Sequence, residues 1–178
     1  MINLKNKMKS FKIIINYFIS FLFFLGLLPA FFVGVGYGLD RLFRIPQINA
    51  CPYCLIFSYV LIVFGLFWMI WSMLAIIFIG RGNPQEVFGK EFLPSAKKLI
   101  IVGPYRYTRN PMIFGWLLIM FGVGLYFGSI SLLLIVFPAF IVSVIFYIHK
   151  FEEPKLLEKF GDDYVEYRRK IPILLPKF

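Results

Sequence analysis

Three stretches of this sequence contain no Asp, Glu, Lys or Arg: Ile13–Leu39, Ile45–Gly80 and Asn110–His149. A helix that crosses a bilayer needs about 20 mostly apolar residues. The first two stretches are each long enough to cross once, and the third is long enough to cross twice. The chain is 60% hydrophobic and only 16% charged, against roughly a quarter charged in soluble domains. An ordinary soluble protein and an extended disordered tail are both excluded. The expected class is an all-α integral membrane protein with about four transmembrane helices.

The first span is expected over roughly Ile13 to Phe32, with a kink at Pro29. A cleaved signal peptide is the competing reading, because Lys5, Lys7, Lys9 and Lys12 form a basic leader. The apolar run exceeds a signal core and no small-x-small cleavage site follows it, so a retained helix is expected. The second span runs from about Tyr53 to Ile79, after a loop with Pro46 and Pro52. The third stretch folds into a hairpin, from about Pro111 to Phe127 and about Ile130 to Ile148, turning at Gly128-Ser129. Such a hairpin satisfies its backbone internally, as crossing segments must.

Of the 19 Lys and Arg residues, only Arg41 and Arg44 fall on the side of the first loop and the hairpin turn. The positive-inside rule then places both termini and the connector 81–110 in the cytoplasm. The net charge of +10 serves orientation and lipid-headgroup attraction, not nucleic-acid binding. Two regions follow: 1–80, two spans behind a basic leader, and 81–178, a connector, a hairpin and a tail. In the tail, Leu156, Phe160, Tyr164, Tyr167 and Ile171 recur with helical spacing. They predict an amphipathic cytoplasmic helix, started by Pro154 and stopped before Pro172.

Three motifs have competing readings. Gly34-Val-Gly36-Tyr-Gly38 resembles a nucleotide-binding glycine loop, which needs a strand before it. Here it ends a hydrophobic span, and the Gly34/Gly38 spacing fits close helix packing or a loosened helix end. Cys51-Pro52-Tyr53-Cys54 has the spacing of thiol–disulfide exchange at a helix start, on the side where a disulfide forms. It supports an alternative function, a membrane thiol–disulfide oxidoreductase. No metal site is expected, because the single His of the chain, His149, falls at the other end of the bundle. His149 itself reads either as a general base or as an interfacial residue.

The richest constellation joins Gly103-Pro104-Tyr105-Arg106-Tyr107-Thr108-Arg109-Asn110-Pro111 before the hairpin to Glu152-Glu153-Pro154 after it. A hairpin that crosses and returns brings both to one membrane depth. Anchoring Arg and Tyr at a span's edge is the plain reading, with Glu favoured at a helix start.

These residues resemble the membrane-embedded methyltransferases that include isoprenylcysteine carboxyl methyltransferase and the phospholipid N-methyltransferases. Their signature is Arg-His-Pro, an aromatic, a Gly, a helical hairpin and Glu-Glu. Arg109-Asn110-Pro111, Phe114-Gly115 and Glu152-Glu153 occupy that pattern here, with Asn110 in place of the His. The phospholipid branch also carries Asn-Pro-Met before an aromatic and Gly, as in Asn110-Pro111-Met112. The tail Phe160 to Pro172 resembles the isoprenylcysteine branch.

The resemblance implies a methyltransferase that uses S-adenosylmethionine, bound on the cytoplasmic side, and a lipid or small hydrophobic acceptor. It implies a cofactor site of Tyr105, Arg106, Tyr107, Arg109, Asn110, Pro111, Gly115, Glu152 and Glu153. Glu152 or Glu153 is expected at the cofactor's amino group, and Arg109 or Arg106 at its carboxylate. Tyr105, Tyr107, Phe114 or Trp116 is expected beside the adenine or sulfonium. Arg109, His149, Arg168 and Arg169 are the expected groups toward the acceptor. A non-catalytic scaffold or small transporter is the third reading; it explains the apolar runs but not the paired motifs.

Overall fold

The computed structural model describes residues 22–47, 52–80, 86–87, 90–91 and 99–177. The first described helix, Phe23–Leu42, is a wide π turn, Phe23–Leu27, followed by α1, Leu28–Leu42. Helix α2 spans Pro52–Phe78. Two-residue strands, β1 (Glu86–Val87) and β2 (Lys90–Glu91), pair antiparallel. A 3₁₀ turn, Gly103–Arg106, precedes α3, Pro111–Phe127. After the turn come a π turn Leu132–Val136, α4 (Phe137–Tyr147), a π turn Ile148–Glu152 and α5 (Glu153–Lys170). Among the described residues, Phe23–Leu42, Pro52–Phe78 and Leu132–Lys170 are long and apolar enough to cross a membrane, and Pro111–Phe127 is a shorter apolar fourth. Apart from the two-residue ribbon of β1 and β2, the regular elements of the described residues are all helical, the protein is membrane-integral, and its hairpin turns at Gly128 in the left-handed conformation that glycine supplies at a helix end.

Each interrupted helix has the same cause. The π turns end at Leu27, Val136 and Glu152, and a proline follows two residues later: Pro29, Pro138 and Pro154. A proline ring clashes with the carbonyl one turn back and donates no hydrogen bond, so the preceding turn widens. At the first site Leu28 N–H reaches Phe23 O, and Pro29 has no N–H for Phe24 O. The Trp116 indole supplies that bond, Nε1 to Phe24 O at 2.9 Å, as neighbouring helices do within a membrane. Pro154 stands in the first turn of α5, as expected, but that helix is not separate from the one before it. The proline sits at a widened joint in one continuous run, Leu132–Lys170.

The first span also differs from expectation. Residues before Leu22 lie outside the described residues, and the helix continues past Phe32 to Leu42. Asp40 does not stop it, because its buried carboxylate caps the returning chain. Oδ2 accepts from Ser129 Oγ (2.6 Å) and Oδ1 from Ser131 N–H (2.9 Å), where the start of the last helix favours negative charge.

The glycine motif lies inside this helix rather than at its end. A Cβ at Gly34 or Gly38 would meet nothing within 4 Å, whereas one at Gly36 would lie 2.7 Å from Leu132 Cβ. The middle glycine is the packing residue. Gly36→Ala is therefore expected to cost about 1–3 kcal/mol by overpacking. Gly34→Ala and Gly38→Ala should match or exceed wild-type stability, since Ala is the better helix former. Thermal unfolding in detergent separates these outcomes.

Helices α2 and α3 form the most extensive contact of the bundle. Small residues recur every seventh position on the buried side of α2: Ser58, Gly65 and Ser72. Gly115 and Gly122 do the same on α3. A Cβ at Gly65 would stand 2.5 Å from Gly115 O, and one at Gly122 would stand 2.9 Å from Ser58 O. Ser58 Oγ donates across the pair to Gly122 O at 2.7 Å. Such backbone approach is how helices associate when lipid removes the hydrophobic drive.

Candidate active site at one end of the bundle

The chain enters α3 through Thr108-Arg109-Asn110, and its C-terminal segment runs back beneath them. Arg109 N–H donates to Pro172 O (2.9 Å), and Lys177 N–H to Tyr107 O (2.9 Å). Thr108 Oγ1 (3.3 Å) and Asn110 Nδ2 (2.9 Å) both donate to Ile173 O. Leu174, next along, is buried against Trp116, Leu117 and Met120. This strap fixes the backbone of Arg109 from below.

The Arg109 side chain meets Glu153, which comes from the far side of the hairpin. One Nη of Arg109 pairs with Glu153 Oε1, and the same nitrogen lies 3.4 Å from Tyr164 Oη. Glu153 Oε2 faces His149 Nδ1 at 2.9 Å and Arg168 Nη1 at 3.6 Å. Glu153 is only 4% exposed. Burial alone pushes its carboxyl up, but the hydrogen bonds from His149 and Arg109 and the Arg109 charge outweigh it and hold the group below its ordinary value of 4.5. A carboxyl with a lowered folded pKa adds stability above its unfolded pKa and loses it as pH falls through the folded one. The melting temperature in detergent should therefore fall as pH drops below about 4.5.

The second half of α5 reaches this network because the helix breaks at Gly161, whose φ of 54° and ψ of −131° suit glycine alone. Tyr164 and Tyr167 are buried beyond the break. Tyr167 Oη donates to Tyr105 O at 2.7 Å. Burial raises the phenol pKa values of Tyr105, Tyr164 and Tyr167, so they remain protonated donors. Tyr105 and Tyr164 both lie within the field of Glu152. The tail helix thus packs under the bundle.

Of the expected site residues, Arg109, Glu153, His149 and Arg168 converge, with Tyr105 and Glu152 beside them. Others are placed elsewhere. Gly115 is turned into the α2–α3 contact. Asn110 spends its amide nitrogen on the strap, and Pro111 is buried at the start of α3. Trp116 is buried and tied to Phe24 O. Tyr107 packs its ring on Trp68 and Trp71, while Phe114 packs on Trp68. Arg106 and Arg169 are exposed. Tyr164 and Tyr167 were legible only as an apolar face, and the strap had no sequence signal beyond Pro172.

Arg109 Nε is buried and has no hydrogen-bond partner among the described residues. An orphaned donor of this kind costs about 1–3 kcal/mol and suits a ligand carboxylate. At the opposite end of the bundle, Cys54 is disulfide-bonded; Cys51 lies outside the described residues.

No curated protein matches the sequence. The family model described as phospholipid methyltransferase matches residues 53–163, more than half of the chain. That stretch takes in nearly all of α2, all of α3 and α4, the first part of α5, and with them Arg109 and Glu153. The chain therefore belongs to the phospholipid methyltransferase family, and it is an integral membrane protein of methyltransferase type.

Proposed function

We propose that the protein transfers a methyl group from S-adenosylmethionine to a lipid or small hydrophobic acceptor, at the end of the bundle that holds Arg109 and Glu153. The observation that carries this reading is the buried Arg109–Glu153 pair, with Arg109 Nε left orphaned beside it. The donor set fits the cofactor's amino-acid moiety. Arg109 would hold its carboxylate through Nε. Glu153 faces Arg109, His149 and Arg168, and Glu152, half-buried in the surroundings of Tyr105 and Tyr164, is the carboxylate assigned here to the ammonium. Tyr105, within the field of Glu152, is the ring assigned to the adenine or sulfonium.

When bound, the cofactor supplies an electrophilic methyl on a sulfonium. The residues of the chain have to hold donor and acceptor in line, which contributes about 7–11 kcal/mol to such reactions. The strap and the Glu153 network hold Arg109 for that purpose. A hydrophobic acceptor reaches the site sideways between helices, and the cofactor reaches it from the cytoplasm, a sidedness supported by the basic segments. The disulfide at Cys54 is remote from this chemistry, so the redox alternative needs a different site.

Membranes containing the protein, incubated with cofactor labelled in its methyl group, should accumulate label in the organic-solvent extract. Glu152→Gln should weaken binding of the demethylated cofactor at least tenfold, about 1.4 kcal/mol, with the fold intact. Label confined to the aqueous phase, or unchanged affinity in Glu152→Gln, would remove this assignment.

A further inference from the structure

His149 is the single histidine of the chain, and its placement is that of an oriented base. It sits in the widened turn Ile148–Glu152, one helical turn before Glu153 and at the end of the last apolar stretch. Nδ1 lies 2.9 Å from Glu153 Oε2. An ionised carboxylate only accepts hydrogen bonds, and Glu153 is held ionised, so Nδ1 carries the proton. In the neutral ring the second nitrogen, Nε2, is then the one with the lone pair. The ring cannot swing freely, because Glu153 is itself pinned by Arg109 and Arg168. Yet the side chain is 55% exposed, at the end of the last apolar stretch. Carboxylate-held imidazoles elsewhere owe their tautomer and basicity to the same contact.

We infer that His149 Nε2 takes a proton from the acceptor as the methyl group moves, and that the acceptor is therefore one whose reacting atom carries a proton. This rests on the methyltransferase reading above. A lone pair of the acceptor atom forms the new bond to carbon. The carbon–sulfur bond breaks with its electron pair remaining on sulfur, and the acceptor's proton passes to Nε2 and then to water. An amine, thiol or hydroxyl head needs such a base. A carboxylate head has no proton to lose, so the isoprenylcysteine type of acceptor does not use this dyad. The charged and titratable groups around the ring are Glu153 on the same helix, its neighbours Lys150 and Glu152, Arg109 from the segment before α3, and Tyr164 and Arg168 from beyond Gly161.

With one histidine, nitrogen-15 labelling of the imidazole gives a single set of ring signals. Wild-type protein in detergent should show the neutral ring protonated at Nδ1. His149→Gln replaces a half-exposed side chain and should fold. It should bind demethylated cofactor within twofold of wild type, yet transfer methyl to vesicles containing a primary-amine lipid about a hundredfold more slowly or worse. Added imidazole should restore part of that rate. A wild-type ring protonated at Nε2, or a His149→Gln rate within twofold of wild type, overturns the assignment of the base. Preferred transfer to vesicles containing a fatty-acid carboxylate overturns the acceptor class. Wild-type protein that neither binds demethylated cofactor nor transfers methyl overturns the methyltransferase reading itself, and the base with it.

Discussion

Arg109→Gln is expected to destabilise the protein by about 3 kcal/mol and to abolish methyl transfer. The substitution leaves Glu153, 4% exposed, without its closest cation. Removing one partner of a buried pair usually costs about 3–5 kcal/mol, because the other charge stays desolvated. The lower end applies here, since His149 and Arg168 still face the carboxylate and it can also take up a proton. Tyr164 loses its contact with the guanidinium at the same time. Arg109→Lys should recover part of the stability but not cofactor affinity, because an ammonium cannot serve Glu153 and offer a fixed second donor. Arg169, exposed one residue beyond Arg168, is the control: Arg169→Gln should change melting by less than about 0.5 kcal/mol. Chemical or thermal unfolding in detergent, read beside cofactor titration, distinguishes these variants. A fully stable Arg109→Gln would mean that the ion pair holds nothing together.

Gly115→Leu should prevent α2 and α3 from pairing and remove activity with the fold. Even the single methyl of Gly115→Ala would lie 2.6 Å from Gly65 O, a backbone atom that cannot swing aside. The helices must separate, which costs about 1–3 kcal/mol and exceeds the roughly 1 kcal/mol that Ala gains over Gly in a helix. The displacement would also reach the site. Arg109 lies two residues before α3, and its backbone is held to Pro172 in a strap anchored by Leu174 against the same helix. Gly115→Ala should therefore lose transfer rate out of proportion to its lost stability. Wild-type melting and wild-type activity in Gly115→Ala would show that the two helices tolerate a wider gap.

The same glycine illustrates what the sequence could and could not disclose. Gly115 was legible as part of a pattern, but not as a packing residue, because that role depends on Gly65 in another helix. The Gly34/Gly38 spacing suggested a contact that Gly36 makes instead, and only the position of Leu132 decides between them. Charge-free runs revealed the apolar helices, since the bilayer acts on each segment separately. The expected end at Phe32 was too early, because the helix runs on to Leu42 with Asp40 hydrogen-bonded by Ser129 and Ser131 of the returning chain, contacts that no local pattern encodes.

The site divides in the same way. That Arg109 and Glu153 meet follows from a hairpin's return and could be reasoned in advance. Which of Glu152 and Glu153 is buried depends on the widened turn before Pro154, a shift of register invisible to spacing arguments. The break at Gly161 turns Tyr164 and Tyr167 toward Arg109, and the periodic apolar face alone could not say what they would cover.

The most direct test is calorimetric titration of the wild-type protein in detergent with the demethylated cofactor, repeated with Arg109→Lys. The account predicts saturable binding by the wild type and at least tenfold weaker binding by Arg109→Lys in a folded protein. Absence of binding by the wild type, or equal affinity in the two proteins, would contradict it.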